Sequence, residues 1–343
     1  MTDVIPVDVV WMRCGPTGDG PGPGLCTTGR RVVPDLWIDT RPARRVNLVH
    51  ELLGLPAALD GHDRCLVMGV INVTPDSFSD GGRWFSPDEA VAQGMRLLAE
   101  GADLLDIGGE STRPGALRID PEEELRRVVP VVERLVAAGA VVSVDTMRAG
   151  VARAAIAAGA QLVNDISGGQ ADPEMIAVVA EAGVPYVVMH WRGFSDVMES
   201  LTHYDDVVSD VCSELSRQVA ALRAAGVDER RLVLDPGFGF AKNAEQNWQV
   251  FAALDRLVEL GRPVLVGTSR KRFLSEAVAR DPVGTGLSGP ATRDDATAAT
   301  SVLAAAAGAW AVRVHEVAAS ADAVRVAART ARARAGAGLG TAS

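Results

Sequence analysis

The chain has 343 residues, of which 48% are hydrophobic, so it can bury one large core or two smaller ones. Its formal net charge of −10 argues against a general nucleic-acid-binding surface, and no uninterrupted apolar run reaches the roughly 18 residues of a membrane span. The start has no basic segment followed by an apolar core, and the four cysteines form no CxxC pair. These features predict a cytoplasmic protein, without a disulfide framework or a structural zinc site.

The first 60 residues differ in composition from the rest. Residues 15–29 are rich in Gly, Pro and Thr and show no apolar periodicity, which is typical of flexible segments. We therefore predict a largely irregular, flexible N-terminal extension at 1–60, a folded domain at 61–333 and a flexible tail at 334–343. The extension is either a disordered segment or lies upstream of the true start, since no motif supports a partner-binding role.

From residue 67 onward, short apolar runs alternate with amphipathic stretches. Strands are predicted at 67–72, 104–108, 141–145, 162–165, 185–190, 232–235, 264–268 and 311–315. Helices are predicted at 87–100, 121–138, 148–158, 173–182, 205–225, 244–260, 293–308 and 318–333. Several of these helices begin with Pro after Ser or Asp and several end in Gly, as helix caps do.

Eight strand–helix units in about 260 residues match the size of a closed (β/α)8 TIM barrel. A doubly wound open sheet is the alternative, but it usually concentrates its ligand loops at one switch point. Here polar residues follow nearly every strand. We therefore predict an α/β protein with a (β/α)8 barrel, in which all these strand ends meet at one site.

The residues at the predicted strand ends form a chemically coherent set. Asp145, Asn164 and Asp235 offer hydrogen-bonding groups suited to a flat heterocycle with ring N–H and amino donors, and Lys271 can reach a carbonyl oxygen on it. Arg313 and His315 lie two residues apart on the last strand and, with Arg113 and the Asn72 amide, suit a multiply charged anion such as diphosphate.

Each of these residues also has a plainer interpretation when it is taken alone. Asp145 can cap a helix, Asn164 and Asp235 can form turns, Arg313 can form a surface ion pair, and His190 can be a satisfied core histidine. The sequence shows no apparent nucleophile–base pair of the Ser/His or Cys/His type and no apparent metal-ligand cluster. Asp145 and Asp235 could be a glycosidase pair, but the nearby Lys and Arg favour two ionised carboxylates.

Seven segments, in order, resemble the motifs of the dihydropteroate synthase family, chiefly its actinobacterial members. INVTPDSFSDGG, ending at Gly82, resembles the first signature, and DIGGESTRPG, which begins at Asp106, resembles the second. The others are SVDTMR, LVNDISGG, LDPGFGFAK, GTSRKRF and VRVHEV. The resemblance covers residues 67 to about 327 and implies a (β/α)8 barrel that makes 7,8-dihydropteroate for folate synthesis.

The resemblance also implies roles for individual residues. The pterin would be held by Asp145, Asn164, Asp235 and Lys271, with Met189 and Phe240 packing near it. Asn72, Arg313 and His315 would take the diphosphate, and Asn72 would bind Mg²⁺ together with that diphosphate. The p-aminobenzoate site and the two signature loops would contribute Phe78, Asp80, Thr112, Arg113, Pro114 and Ser269.

The implied reaction is a dissociative, SN1-like substitution that joins 6-hydroxymethyl-7,8-dihydropterin diphosphate to p-aminobenzoate. Diphosphate leaves first, and carboxylates such as Asp80 stabilise the pterin methylene cation before the amine attacks. The catalytic set would be Asp80, Arg113, Lys271, Arg313 and His315. Family members are commonly homodimers and sulfonamide targets. Two alternatives stay open: a pterin-binding corrinoid methyltransferase, and a non-catalytic pterin-binding paralogue.

Overall fold

The structure is a computed structural model that describes residues 10–13, 27–30, 52–59, 62–74, 86–111, 118–194, 198–278 and 293–336. The chain divides into two compact units, residues 1–44 with Ser343, and residues 45–342. In the first unit, strands β1 (Val10–Arg13) and β2 (Thr27–Arg30) form an antiparallel pair. The predicted extension thus contains a short two-stranded ribbon, which its composition did not indicate.

The second unit is the predicted barrel. Its described strands are β3 (Leu66–Asn72), β4 (Leu104–Gly108), β5 (Val142–Asp145), β6 (Leu162–Asp165), β7 (Tyr186–Met189), β8 (Leu232–Asp235), β9 (Leu265–Val266) and β10 (Ala311–Val314). They form one parallel sheet in the order β8-β7-β6-β5-β4-β3-β10-β9. A parallel bridge between Leu234 and Val264 joins the two ends of this order. The (β/α)8 prediction is therefore confirmed.

The helices follow the strands as the alternation predicts. They are α1 (Pro87–Glu100), α2 (Pro121–Ala137), α3 (Ala149–Ala157), α4 (Met175–Ala182), α5 (Val207–Ala224), α6 (Ala244–Ala252), α7 (Leu254–Val258), α8 (Ser275–Val278), α9 (Asp294–Ala306) and α10 (Ala318–Gly336). The stretch predicted as one helix at 244–260 is two helices that meet at Ala253. Within the described ranges, no helix is both long and apolar enough to span a membrane.

Helix α1 shows why these boundaries can be read from the sequence. Ser86 Oγ accepts a hydrogen bond from the backbone N–H of Glu89, the Glu89 carboxylate accepts one from the backbone N–H of Ser86, and Pro87 occupies the first turn. Gly101 ends the helix in a left-handed conformation with φ of 108°. Each residue satisfies or avoids one of the unpaired backbone groups at a helix end, so the sequence alone fixes the start and stop.

The interior of the barrel is filled by an apolar layer at the amino-terminal ends of the strands. This layer contains Leu66, Met68, Leu104, Val141, Leu162, Val187, Val233, Leu265 and Ala311, all buried. Leu52 and Leu59 belong to the same cluster, although they fall in the segment predicted as flexible extension. Leu53 also donates its N–H to the Arg230 carbonyl over 2.9 Å. Residues 52–59 therefore form the floor under this layer and belong structurally to the barrel.

Candidate active site

The polar site lies directly above the apolar layer because side chains in a strand alternate in direction. Two residues beyond Leu104, Leu162, Val233 and Ala311 stand the inward-facing polar residues Asp106, Asn164, Asp235 and Arg313. Strand register places Asp145 opposite both Gly108 and Asn164, and Met189 opposite Asp235. The barrel thus brings together, at the carboxyl ends of its strands, residues that are up to 207 positions apart in the chain.

Arg313 is the centre of the charged network. Its Nε donates to Asp106 Oδ2 over 2.6 Å, and one terminal nitrogen donates to Asp145 Oδ2, also over 2.6 Å. The Asn164 side-chain amide donates to the same Asp106 oxygen over 2.9 Å. Strands β4, β5, β6 and β10 are therefore tied across the barrel interior by one guanidinium, one side-chain amide and two carboxylates.

Asp106 is a site residue that the strand-end reasoning missed. It is fully buried, and its Oδ1 has no hydrogen-bond partner among the described residues. The sequence did contain a signal, because a carboxylate inside the apolar strand LLDIG must be paired. Its position two residues after an inward-facing leucine would have placed it in the site.

The network changes the expected electrostatics of Arg313. The sequence predicted that Arg313 binds diphosphate, yet the structure places its guanidinium between two carboxylates. Burial disfavours its charge, but Asp106 and Asp145 outweigh burial and raise its pKa. Arg313 is therefore a permanently charged group whose charge is already compensated, and a role toward an anion stays a prediction.

Burial is the largest influence on the pKa values of Asp145, Asp235 and Lys271. Burial raises the pKa of Asp145, Arg313 opposes that rise, and the charge of Asp106 adds to it. Burial also raises the pKa of Asp235, against the Gly237 N–H and Lys271. Burial, followed by Arg313, lowers the pKa of Lys271 to about 8. The protonation equilibrium of Lys271 therefore lies closer to neutrality than that of an exposed lysine, as at many functional sites.

An apolar wall lies beside these charges. Met189 and Phe240 are buried in one cluster with Ile166, Met198 and Ala241. The Lys271 ammonium lies 4.0 Å from the centroid of the Phe240 ring, in a cation–π contact. The structure thus brings Met189, Phe240 and Lys271 together, and a flat apolar ring with polar edges suits such a surface. Their contacts with a pterin stay a prediction.

Ser269 and His315 form a separate pair. Ser269 Oγ lies 3.0 Å from His315 Nδ1 and accepts the His315 backbone N–H over 3.1 Å. The sequence placed Ser269 with p-aminobenzoate and His315 with diphosphate. Their contact puts these two predicted subsites next to each other.

The second signature is anchored on both sides of residues 112–117. Glu110 accepts the Ile119 N–H over 3.1 Å and pairs with Arg148 over 2.8 Å. Arg148 also pairs with buried Glu124, which accepts the Thr146 hydroxyl over 2.6 Å. The stems of this signature are therefore tied to helices α2 and α3.

The remaining predicted residues are outside this geometry or at its edge. Phe78, Asp80, Thr112, Arg113 and Pro114 lie outside the described residues. Asn72 is the last residue of β3, opposite Gly108, and is partly exposed.

Magnesium was predicted to bind at Asn72. In the described ranges, no group of three or more His, Cys, Asp or Glu residues could hold a metal ion. Asn72 offers one carboxamide oxygen. That fits a Mg²⁺ ion held mainly by substrate phosphate oxygens and water, since Mg²⁺ commonly binds through one or two protein ligands and the substrate.

A parallel barrel with a carboxylate–amide–lysine array at its carboxyl-terminal end has hydrogen-bonding groups that suit the edges of a flat heterocycle. Residues 68–315 match the family described as pterin binding enzyme, and the chain belongs to that family. Within it, the chain is 54% identical over 258 residues to the dihydropteroate synthase of Mycobacterium leprae, covering 74% of this chain and 89% of that protein. These matches make the chain an enzyme of the dihydropteroate synthase family, a transferase.

Solved structures agree with this assignment. Xanthomonas albilineans dihydropteroate synthase with 4-aminobenzoic acid superposes with a TM-score of 0.72 at 49% identity, covering 80% of this chain and 94% of that one. The same enzyme in complex with 7,8-dihydropteroate gives a TM-score of 0.69 at 47% identity, covering 80% and 95%. The likeness extends over almost the whole length of those enzymes.

Proposed function

We propose that this chain condenses 6-hydroxymethyl-7,8-dihydropterin diphosphate with p-aminobenzoate to give 7,8-dihydropteroate and diphosphate. The observation that carries the proposal is the array of Asp145, Asn164, Asp235 and Lys271 beside the apolar wall of Met189 and Phe240. Relatives at 47–49% identity bind 4-aminobenzoic acid and 7,8-dihydropteroate. Their ligands are a substrate and the product of this reaction.

The pterin is held by its edges. Asp145 and Asp235 accept ring N–H and amino groups, Asn164 supplies an amide, and Lys271 donates to the ring carbonyl. Arg313 holds Asp145 in place and offsets part of the rise that burial causes in the pKa of Asp145. A ring held on several edges leaves its methylene carbon in one position, which is the entropic part of the catalysis.

The bond to diphosphate then breaks before the new bond forms. His315, Asn72 and Arg113 bind the leaving group, and Mg²⁺ held by Asn72 and the diphosphate would supply charge neutralisation there. The carboxylates Asp80, Asp145 and Asp106 lower the energy of the developing methylene cation. The neutral amine of p-aminobenzoate, bound near Ser269, Phe78, Thr112 and Pro114, attacks that carbon and loses a proton.

Release of diphosphate is the direct test. Purified protein should release diphosphate only when the pterin diphosphate, p-aminobenzoate and Mg²⁺ are all present, with one dihydropteroate formed per diphosphate. Pterin binding without release would instead indicate a non-catalytic paralogue. Methyl transfer to a corrinoid protein would indicate the methyltransferase alternative.

The order of bond breaking has its own test. The ¹⁸O label is placed in the oxygen that joins the methylene carbon of the pterin to the diphosphate. If the C–O bond breaks and re-forms without p-aminobenzoate, the label should move into the non-bridging oxygens of the adjacent phosphate. Retention of the label, with an inert p-aminobenzoate analogue filling the second site, would contradict the dissociative order.

Assembly, drug binding and location are further parts of the proposal. We infer a cytoplasmic homodimer whose p-aminobenzoate site also binds sulfonamides. Light scattering coupled to size exclusion measures the mass in solution against the 35.9 kDa of one chain. Competition between a sulfonamide and p-aminobenzoate in the release assay checks the shared site.

A further inference from the structure

Lysine is rare in this chain, and both lysines lie in segments that follow strands of the barrel, one after β8 and one after β9. Of the 34 Lys and Arg residues, two are lysine, Lys242 and Lys271. Each directly follows a residue other than glycine with positive φ, Ala241 at 45° and Arg270 at 60°. Such strained backbone persists only where surrounding contacts hold it. Lys271 belongs to the proposed pterin site, whereas Lys242 has no part in the mechanism above.

The Lys242 ammonium is buried and ties three groups together. Its Nζ lies 3.0 Å from His190 Nδ1, 3.1 Å from the Gly237 carbonyl and 3.2 Å from the Phe240 carbonyl. A lysine ammonium has three N–H donors and no acceptor, so the three partners match its capacity. Burial lowers the pKa of Lys242 to about 7, while three acceptors around one nitrogen favour the protonated form.

The contact between His190 Nε2 and Glu214 determines which ring nitrogen of His190 donates and which accepts a hydrogen bond. Glu214 contacts His190 Nε2 over 2.8 Å and Arg192 over 2.5 Å. Despite partial burial, His190 and Arg192 lower the pKa of Glu214 to about 2, so it is a carboxylate and can only accept. His190 Nε2 therefore carries the proton, and because burial keeps the ring neutral, Nδ1 has a free lone pair that accepts from Lys242.

The turn held by Lys242 carries the pterin end of the site. The Gly237 N–H donates to Asp235 Oδ1 over 2.7 Å, and the ring of Phe240 lies under Lys271. The turn also lies very close to its neighbours, because a Cβ on Gly237 would stand 2.5 Å from the His190 carbonyl oxygen. Movement of the turn would therefore displace Asp235, Phe240 and Lys271 together.

We propose that Lys242 is a positioning residue that locks the Gly237–Phe240 turn to His190 and so aligns Asp235, Phe240 and Lys271 for the pterin. The identification of the ligand rests on the proposed function, whereas the alignment of the turn does not. Arginine cannot replace this lysine. Its planar guanidinium spreads its donors over a fork, whereas the three acceptors here converge on one point.

Lysine scarcity allows a direct test. In Lys242→Met protein grown with ¹³C-lysine, the remaining lysine signal belongs to Lys271, whose ammonium nitrogen lies 4.0 Å from the centroid of the Phe240 ring. We expect this signal to move from a ring-shifted position in the wild type toward that of free lysine. The Kd for the pterin diphosphate should rise by roughly tenfold to a hundredfold, which is the effect expected from losing one charged hydrogen bond. The KM for p-aminobenzoate should change little.

Two further variants separate positioning from general destabilisation. Tyr186→Phe removes a buried hydrogen bond of 2.7 Å to Asp165, outside the turn, and should lower stability without moving the Lys271 signal. Glu214→Gln should permit the other His190 tautomer and give a smaller shift in the same direction as Lys242→Met, which keeps the test available if that variant does not fold. Lys242→Arg should fail to restore either readout.

The outcomes are distinct. An unmoved Lys271 signal and unchanged pterin affinity in folded Lys242→Met or Glu214→Gln protein would overturn the proposal, as would full rescue by Lys242→Arg. Failure of the wild type to bind the pterin diphosphate would remove the proposed function, yet the Lys271 signal would still decide whether Lys242 positions the turn.

Discussion

Asp106 offers a sharp test of the network around Arg313. Replacing it with Ala removes the acceptor of two hydrogen bonds, from Arg313 Nε and the Asn164 amide, at a fully buried position. Breaking a buried ion pair on one side costs about 3–5 kcal/mol, because the remaining charge stays buried. We therefore expect Asp106→Ala to lower the free energy of unfolding by that amount.

Asp106→Asn is the matched control, because it keeps shape and one acceptor oxygen. Both donors converge on Oδ2, and Oδ1, which the Asn amide nitrogen would replace, has no described partner. Only the charge of the hydrogen bonds is lost, so a cost of about 1–3 kcal/mol is expected. Removing the Asp106 charge also lowers the pKa of Asp145, which should then ionise at lower pH.

The assay is urea unfolding followed by both circular dichroism and tryptophan fluorescence. Coincident transitions are needed before free energies are compared, since a chain of this size can unfold through intermediates. Equal costs for Ala and Asn, or an Ala cost below about 1 kcal/mol, would refute the idea that Arg313 depends on a buried counter-charge.

Four further predictions concern the barrel and its site. Since the pKa of Lys271 is about 8 instead of 10.5, pterin affinity should fall as pH rises through 8, and Lys271→Arg should remove that fall in binding titrations. The unfolded lysine keeps its proton longer, so wild type should gain stability relative to Lys271→Met between pH 8 and 10.5. At Gly237, where φ is 68°, an added Cβ would lie 2.5 Å from the His190 carbonyl oxygen, whereas at Gly226, where φ is 96°, it would meet open space. Gly237→Ala should therefore lower the free energy of unfolding in urea by at least about 2 kcal/mol more than Gly226→Ala. Leu52→Ala should cost about 2–4 kcal/mol by the same measurement, and no loss would show that residues 52–59 do not support the barrel floor.

Most of the fold was readable from the sequence because its signals are local. Apolar runs marked the strands, and residue pairs such as Ser86-Pro87 marked helix starts. The break at Ala253 was not visible, because the apolar periodicity continues across it. The floor segment around Leu52 was missed because its partners come from many strands, and only tertiary packing brings them together.

The site was partly readable for a similar reason. Polar residues that end a strand, such as Asp145 and Asp235, can be recognised in the sequence because they interrupt an apolar run. Asp106 and Lys242 do not, because one lies within a strand and the other within a loop. Their roles depend on partners 207 and 52 positions away in the chain, and these contacts form only when the barrel closes.

The link between Asp106 and Arg313 also bears on how the protein is made. Strand β3 pairs with β4 on one side and with β10 on the other, and β10 is synthesised after all the other described strands of the barrel. Until then β3 has one unpaired edge, and Asp106 lacks its counter-ion. A nascent chain that stops before Ala311 should therefore be aggregation-prone and unable to bury its own centre, since such long-range contacts form slowly and late.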